Sequence, residues 1–314
     1  MAAAHARQTR MTTFVDTLRR QPALAYLLLV VCMLFLATNH IIGRFVHGTL
    51  PPVGLSFWRW LAAAIMLLPF VAPRFRANLA DYRANARDFF LLGGLIVGST
   101  TVILVALNFT TAINISLINA TQPTITVLFM WLFFKQRLSA PQAAGIVLAF
   151  AGVAIMLVRG RPEALLALEL NGGDLVALFA MTGFAAYAVN IRRLPPSLNP
   201  VESLFGVIVA GTVALLPFYV AESVLFQPMP ITWLAVGASL ALALLVSCLA
   251  MLMWNVGNQA VGPSRASVFM NLIPVFGAGM AVGWLDETLQ WYHLAGIVLV
   301  GIGIVLVVGR AIKS

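Results

Sequence analysis

The sequence predicts an all-α integral membrane protein whose ten transmembrane helices form two inverted five-helix repeats, and three observations point there. First, 61% of the 314 residues are hydrophobic and only 9% are charged, with a mean hydropathy of +0.97. That composition lies outside the range of water-soluble globules. Second, apolar stretches long enough to cross a hydrocarbon core of about 30 Å, which takes about 20 helical residues, recur along the whole chain. Third, the two halves repeat each other. Residues 144–148 read Ala-Gly-Ile-Val-Leu and the same pentapeptide returns at 295–299, an offset of 151 positions. In that register Pro123 falls on Pro274, Leu138 on Leu289, Gly145 on Gly296 and Gly152 on Gly303. A second block agrees: Leu67-Leu68-Pro69-Phe70 recurs as Leu215-Leu216-Pro217-Phe218 at an offset of 148, which also places Arg44 on Arg192 and Val53 on Val201. Each copy holds an odd number of spans, so the second must sit upside down in the bilayer. Inverted repeats of this kind are a signature of secondary transporters.

The expected spans are 22–47, 51–71, 88–110, 114–135 and 139–159 in a first repeat covering 22–160, then 172–192, 199–221, 231–259, 263–285 and 289–309 in a second covering 161–314. The first span follows Arg19 and Arg20 but is too long for the core of a cleavable leader and lacks a convincing cleavage site. It is therefore expected to stay in the mature protein, behind a mobile cytoplasmic tail of residues 1–21. The longest connections, 72–87 and 160–171, leave no room for a separate soluble domain.

A formal net charge of +9 and a pI near 10.6 raise the question of nucleic acid, and the distribution of basic residues answers it. On the side of the N-terminus lie Arg7, Arg10, Arg19, Arg20, Arg74, Arg76, Arg83, Arg87, Lys135, Arg137, Arg192, Arg193, Arg310 and Lys313, against Arg44, Arg159 and Arg161 on the other. The positive-inside rule then puts both termini in the cytoplasm. No nucleic-acid partner is needed to explain the charge. Cys32 and Cys248 both fall inside spans, so neither a disulfide framework nor a thiolate metal site is indicated.

Pro123 and Pro274 occupy the middles of the fourth and ninth spans, where a proline removes one backbone hydrogen bond and frees the carbonyl four residues earlier, here those of Asn119 and Met270. In hydrocarbon a freed carbonyl is tolerated only against protein or a water-filled space. The prolines are read as paired helix kinks, with the amides of Asn119, Gln122 and Asn271 beside the same space. Gly145 with Gly152 and Gly296 with Gly303 each share a helix face and read as close-packing positions. Arg59, between Trp58 and Trp60, lies about 12 Å into the second span at 1.5 Å per residue. At that depth it pairs, snorkels or serves a function, while the flanking tryptophans equally permit an interfacial anchor. His40, with Thr38 and Asn39, sits where a titrating imidazole meets substrate or a proton, or where a neutral one is simply hydrogen-bonded. Ser99, Thr101, Tyr187, Ser247 and Trp254 complete a neutral polar lining. No Asp or Glu falls near the centre of any span, which disfavours strong proton coupling through a carboxylate relay. There is no phosphate-binding Gly-x-x-x-x-Gly-Lys loop and no His-Glu-x-x-His zinc motif. A serine dyad of Ser264 and His293 is conceivable, but nothing in the sequence brings the two together.

At these residues the chain resembles the ten-helix EamA-type branch of the drug/metabolite transporter superfamily, and within it the YddG-like amino-acid exporters. The likeness runs through all ten spans. It rests on Phe57-Trp58-Arg59 to Leu68-Pro69, on Gln122-Pro123 through Gly145 and Gly152, and on Ile273-Pro274 through Asp286-Glu287 to Gly296. The family's Trp-Gly step in helix one is replaced here by residues 35–39, and its glutamate after helix four by Gln136, whereas Glu287 keeps the second-half pattern. The resemblance implies a bacterial inner-membrane carrier with a central pocket between the halves, opening alternately to either side and using no cofactor. Its substrate-binding residues are expected among Asn39, His40, Arg59, Ser99, Thr101, Asn119, Gln122, Tyr187, Ser247, Trp254 and Asn271. A pocket of amides, hydroxyls, aromatics, a histidine and an arginine suits a small zwitterion with an apolar side chain. The expected function is export of amino acids, aromatic or otherwise apolar, and related metabolites by facilitated diffusion or weak coupling. A broad drug or nucleotide-sugar carrier is the alternative, and an intramembrane enzyme a more distant one. The sequence leaves the oligomeric state open; a monomer is compatible with it.

Overall fold

The computed structural model describes residues 15–46, 48–110, 112–161, 163, 171–284 and 290–308, with the side chains of 40, 41, 44, 112, 113 and 281–284 outside that description. Among the described residues all regular structure is helical. The rods are α1 Pro22–Val46, α2 Pro52–Ala84, α3 Ala86–Ala106, α4 in two pieces Ala112–Ala120 and Gln122–Phe134, α5 Ala140–Leu157, α6 Gly172–Asn190 with a 3₁₀ turn Ile191–Arg193, α7 Pro200–Leu225, α8 Trp233–Val261, α9 in pieces Pro263–Val268, Phe269–Asn271 and Leu272–Trp284, and α10 Trp291–Val308. Within the described residues, 9 helices are long and apolar enough to cross a membrane. The remaining rod, α9, is divided by a 3₁₀ turn at Phe269–Asn271.

Local chemistry fixes where the rods begin. Asn171 accepts from the Asp174 amide at 3.2 Å while Asp174 accepts from the Asn171 amide at 2.9 Å, and Asn199 with Glu202 repeats the device at α7. These reciprocal caps satisfy amides that the first helical turn leaves without partners. α2 begins on Pro51-Pro52 and takes its cap from another helix: Glu222 of α7 accepts from Val53 N at 3.0 Å and Gly54 N at 2.6 Å. Its lower end differs from expectation. The stretch 72–84 is not a connection but a continuation of α2 past Pro69 and Pro73. Hydropathy lost track of it because it carries Arg74, Arg76 and Arg83. It is held against the start of α7, where Arg74 Nη1 lies 3.9 Å from Glu202 Oε1 and Tyr82 Oη donates to the Glu202 carbonyl at 3.0 Å. The expected tail also proves partly ordered. Residues 15–20 are helical, and Leu18 is fully buried with Ala25 and Val256. Residues 1–14 lie outside the described residues.

Packing between rods follows the repeat. α3 packs on α6 and α7, and correspondingly α8 packs on α1 and α2; α4 meets α6 as α9 meets α1. α2 lies along α7 and α5 along α10. The α5–α10 crossing shows the inversion most directly. A Cβ on Gly145 would come within 2.5 Å of the Gly303 carbonyl oxygen, and one on Gly303 within 2.5 Å of the Gly145 oxygen. Gly152 and Gly296 oppose each other in the same mutual way at 2.7 Å. Since Gly145 is equivalent to Gly296 and Gly152 to Gly303, these contacts exchange under a two-fold axis between antiparallel helices. Without side chains at the crossing the backbones come close enough for strong van der Waals contact, the main attraction left between helices in lipid. In α8 the stretch Leu242–Ala250 is π-helical, a widened form often found at functional sites.

One carboxylate knits two helices and a turn together. Asp174 accepts from Thr110 Oγ1 at 2.5 Å and from Asn114 Nδ2 at 3.0 and 3.1 Å, tying α4 and the turn before it to α6. Asp174→Asn turns one acceptor into a donor facing donors. A loss of about 1–2 kcal/mol is expected, read as a lowered thermal midpoint of the detergent-solubilised protein.

Candidate functional site

Elementary helix chemistry places a discontinuity at the centre of the molecule. Helix four stops at Ala120, turns at Thr121 and restarts at Gln122 with Pro123 in its first turn, where a missing N–H costs nothing. Helix nine passes through a 3₁₀ turn at Phe269–Asn271 before Pro274 enters the first turn of its second piece. Each proline thus stands in the first turn after an interruption through which Thr121 and Leu272 keep right-handed helical backbone angles. The two interruptions face one another: Ala112–Ala120 packs on the Phe269–Asn271 turn, and Pro263–Val268 packs on Gln122–Phe134. Asn119, Gln122 and Asn271 stand at these breaks. Gln122 Nε2 donates to Thr126 Oγ1 at 3.0 Å, but Gln122 Oε1, Asn119 Oδ1 and both amide atoms of Asn271 find no protein partner among the described residues. Buried polar atoms left this way cost about 1–3 kcal/mol each unless something else satisfies them.

In α2, Arg59 is 1% exposed. Its Nη1 donates to Asn39 Oδ1 at 3.2 Å and its guanidinium carbon lies 5.0 Å from the Trp60 ring centroid. Among the described residues Nε and Nη2 have no protein partner, and no carboxylate pairs with the guanidinium. Of the three residues Trp58 alone is exposed, donating to Tyr219 Oη at 3.1 Å, whereas Arg59 and Trp60 point inward. His40 belongs to α1, but its side chain lies outside the described residues.

A third group forms where α6 meets α8. Tyr187 Oη donates to Asn255 Oδ1 at 2.8 Å, both residues being buried, and Phe184 tilts against Trp254 with ring centroids 5.7 Å apart. Trp254 Nε1, Asn255 Nδ2 and, in the π-helical stretch, Ser247 Oγ have no protein partner. Two other expected lining residues face neighbouring helices. Thr101 Oγ1 donates to the Val97 carbonyl at 2.7 Å and lies 2.6 Å from Ser56 Oγ, which must then be the donor of that pair. Ser99 lies against Gly183, where an added Cβ would meet its Oγ.

The structure thus gathers the expected residues into three neighbourhoods: Asn39 with Arg59, the half-helix breaks, and Tyr187 with Trp254. Sequence reasoning passed over Asn258, one helical turn beyond Trp254 and Asn255 on α8, 1% exposed with both amide atoms unpartnered. Its i, i+3 and i, i+4 spacing from two polar neighbours was the available signal. The conceivable Ser264–His293 dyad does not form. Ser264 begins α9 and His293 lies in the first turn of α10, so the length of α9, about 30 Å, separates them. Asp174, Glu202 and Glu222 each cap a helix start. Asp286 and Glu287 lie outside the described residues.

An all-helical body that crosses the membrane repeatedly, with facing broken helices at its centre, defines a multi-pass membrane transporter. The profile of the EamA-like transporter family matches residues 23–158 and again 171–309, and the chain belongs to that family. A Bacillus subtilis protein named uncharacterized transporter YyaM is 28% identical over 90% of this chain and 93% of its own. A probable amino-acid metabolite efflux pump of Escherichia coli is 28% identical over 91% of this chain and 94% of its own. A probable terminal-alkyne amino-acid exporter of Streptantibioticus cattleyicolor is 27% identical over 82% and 84%. A solved crystal structure superposes with a TM-score of 0.73 at 18% identity, covering 93% of this chain and 99% of the other, which shows the shared fold.

Proposed function

We propose that the protein exports amino acids or closely related small metabolites across a bacterial inner membrane, with both termini in the cytoplasm, by alternating access of two inverted halves, 22–160 and 161–314. The observation that carries this reading is the meeting of the α4 and α9 breaks, with the unpartnered amides of Asn119, Gln122 and Asn271 beside them. A small zwitterion satisfies such a place. Its ammonium group donates to amide oxygens and interrupted backbone, its carboxylate takes the free face of the Arg59 guanidinium, and an apolar side chain lies against the aromatic residues. Two relatives named as an amino-acid metabolite efflux pump and an amino-acid exporter support the substrate class. Asp174, Glu202 and Glu222 are held in caps, and none of the described carboxylates falls near the centre of a span, which supports a flux that follows the substrate gradient.

Counterflow in proteoliposomes tests both halves of the proposal. Uptake of radiolabelled phenylalanine, leucine and methionine is expected to accelerate when the same amino acid is loaded inside, with no more than about a twofold change on imposing a pH gradient. Inhibition by nucleotide sugars with indifference to amino acids would reject the substrate class.

A further inference from the structure

At one end of the molecule a cavity of ≈ 430 Å³ opens between the helical segment 15–20, the end of α6, the loop before α7 and the end of α8. Asn258 and Ser203 stand in its wall, both buried, and Arg19, Asp16 and Arg192 supply its charged groups. Of these, Arg19 pairs with Asp16 at 3.4 Å, and the Arg192 guanidinium carbon lies 3.4 Å from the Phe134 ring centroid. Asn258 is the unexplained member. It is 1% exposed, yet neither its Oδ1 nor its Nδ2 has a protein partner among the described residues. A buried primary amide offers an acceptor and a donor about 2.3 Å apart, and leaving both empty is costly.

Position gives the cavity a role. Asn258 lies one helical turn from Asn255 and Trp254 on the same rod, and the Tyr187–Asn255 hydrogen bond with the Phe184–Trp254 contact forms the next layer inward. Ala188, Val189 and Ile191, which follow Tyr187 in α6, also line the cavity. The cavity therefore adjoins the layer in which Tyr187 meets Asn255 and Phe184 meets Trp254.

We propose that this cavity is a separate loading subsite for an α-amino-acid zwitterion on the cytoplasmic side, read by the Asn258 amide. The ammonium group donates to Oδ1, the carboxylate accepts from Nδ2, and Arg192, the rim cation that Asp16 does not pair, favours the carboxylate end. An amine without a carboxylate, or an acid without an amine, leaves half of the amide empty. The inference rests on the exporter reading and specifies where the substrate is first held.

The test uses the full chain in vesicles, with Gln259→Cys, a half-buried residue of the cavity wall, as a reporter and a membrane-impermeant maleimide applied from the cytoplasmic side. Cys32 and Cys248 are buried and give a low background. Phenylalanine is expected to slow labelling of the reporter, with phenylalaninamide and 3-phenylpropionate about tenfold less potent, the cost of one unsatisfied polar group. Adding Asn258→Leu is expected to abolish the protection. Should that variant fail to assemble, Asn258→Asp, of the same size, is expected to weaken it by repelling the carboxylate. Equal protection by all three compounds, or unchanged protection in the Asn258 variants, would overturn the proposal. So would absence of protection by phenylalanine under conditions where the reporter protein transports it. Absence of phenylalanine counterflow altogether would instead count against the exporter reading itself.

Discussion

Replacing Gly303 by leucine is expected to abolish the assembled protein, seen as loss of the monodisperse peak in detergent. A Cβ at this position already lies 2.5 Å from the Gly145 oxygen and 2.8 Å from Ala149, so backbone and not a flexible side chain has to yield. Gly303→Ala is the measurable form, with an expected cost of about 1–3 kcal/mol from overpacking. Because the contacts are mutual, Gly145→Ala is expected to match it, and Gly152→Ala to match Gly296→Ala. Gly301, two residues away on the same helix with nothing within 4 Å of its added Cβ, is the control. Gly301→Ala is expected to be neutral or to stabilise by up to about 1 kcal/mol through helix propensity. A Gly303→Ala variant melting with the parent would show that the close crossing does not hold the halves together.

The second large effect concerns transport and spares stability. Arg59→Leu removes a buried cation that no carboxylate among the described residues neutralises, and replacing a buried charge by an apolar residue is often neutral or stabilising. Transport of an amino acid with a free carboxylate is nevertheless expected to fall about 100-fold, equivalent to about 2.7 kcal/mol for a charge-assisted contact. Flux of its amide is expected to change little. Arg59→Lys keeps the charge but loses the planar fork and is expected to fall between the two. Equal losses for acid and amide, or a large drop in thermal midpoint with no selective loss of transport, would assign Arg59 to structure alone.

How far these features could be read from the sequence depends on whether they leave a periodic or paired mark. The glycines of α5 and α10 did, because close crossing on one face demands small residues seven apart, and the repeat shows it twice. The prolines did as well, although their spacing could not tell a kink from a helix that stops and restarts. Depth marked Arg59, since a charge several turns into an apolar run needs a reason. The helical extension 72–84 left no mark in hydropathy, because it keeps its helix while losing its apolar character. Neighbours across helices were also invisible: nothing adjacent in sequence says that Thr101 gives its oxygen to Ser56 or that Tyr187 reaches Asn255. Asn258 escaped for a simpler reason. A single asparagine near the end of a predicted span looks like an ordinary boundary residue until a cavity appears beside it.

The crossing of α5 and α10 is self-complementary, a surface that fits its own overturned copy in the manner of an isologous dimer. Were the halves separate molecules, their meeting would depend on how much of each the bilayer held. Covalent linkage fixes the effective concentration, about millimolar for short flexible links, and makes pairing part of folding. It also releases equivalent positions from having to be identical. Glu222 and Arg74 occupy the same place in the two copies at the 148-residue offset, yet one is an acid capping α2 and the other a base beside Glu202. Such pairs are what a single polypeptide permits and an obligate homodimer forbids.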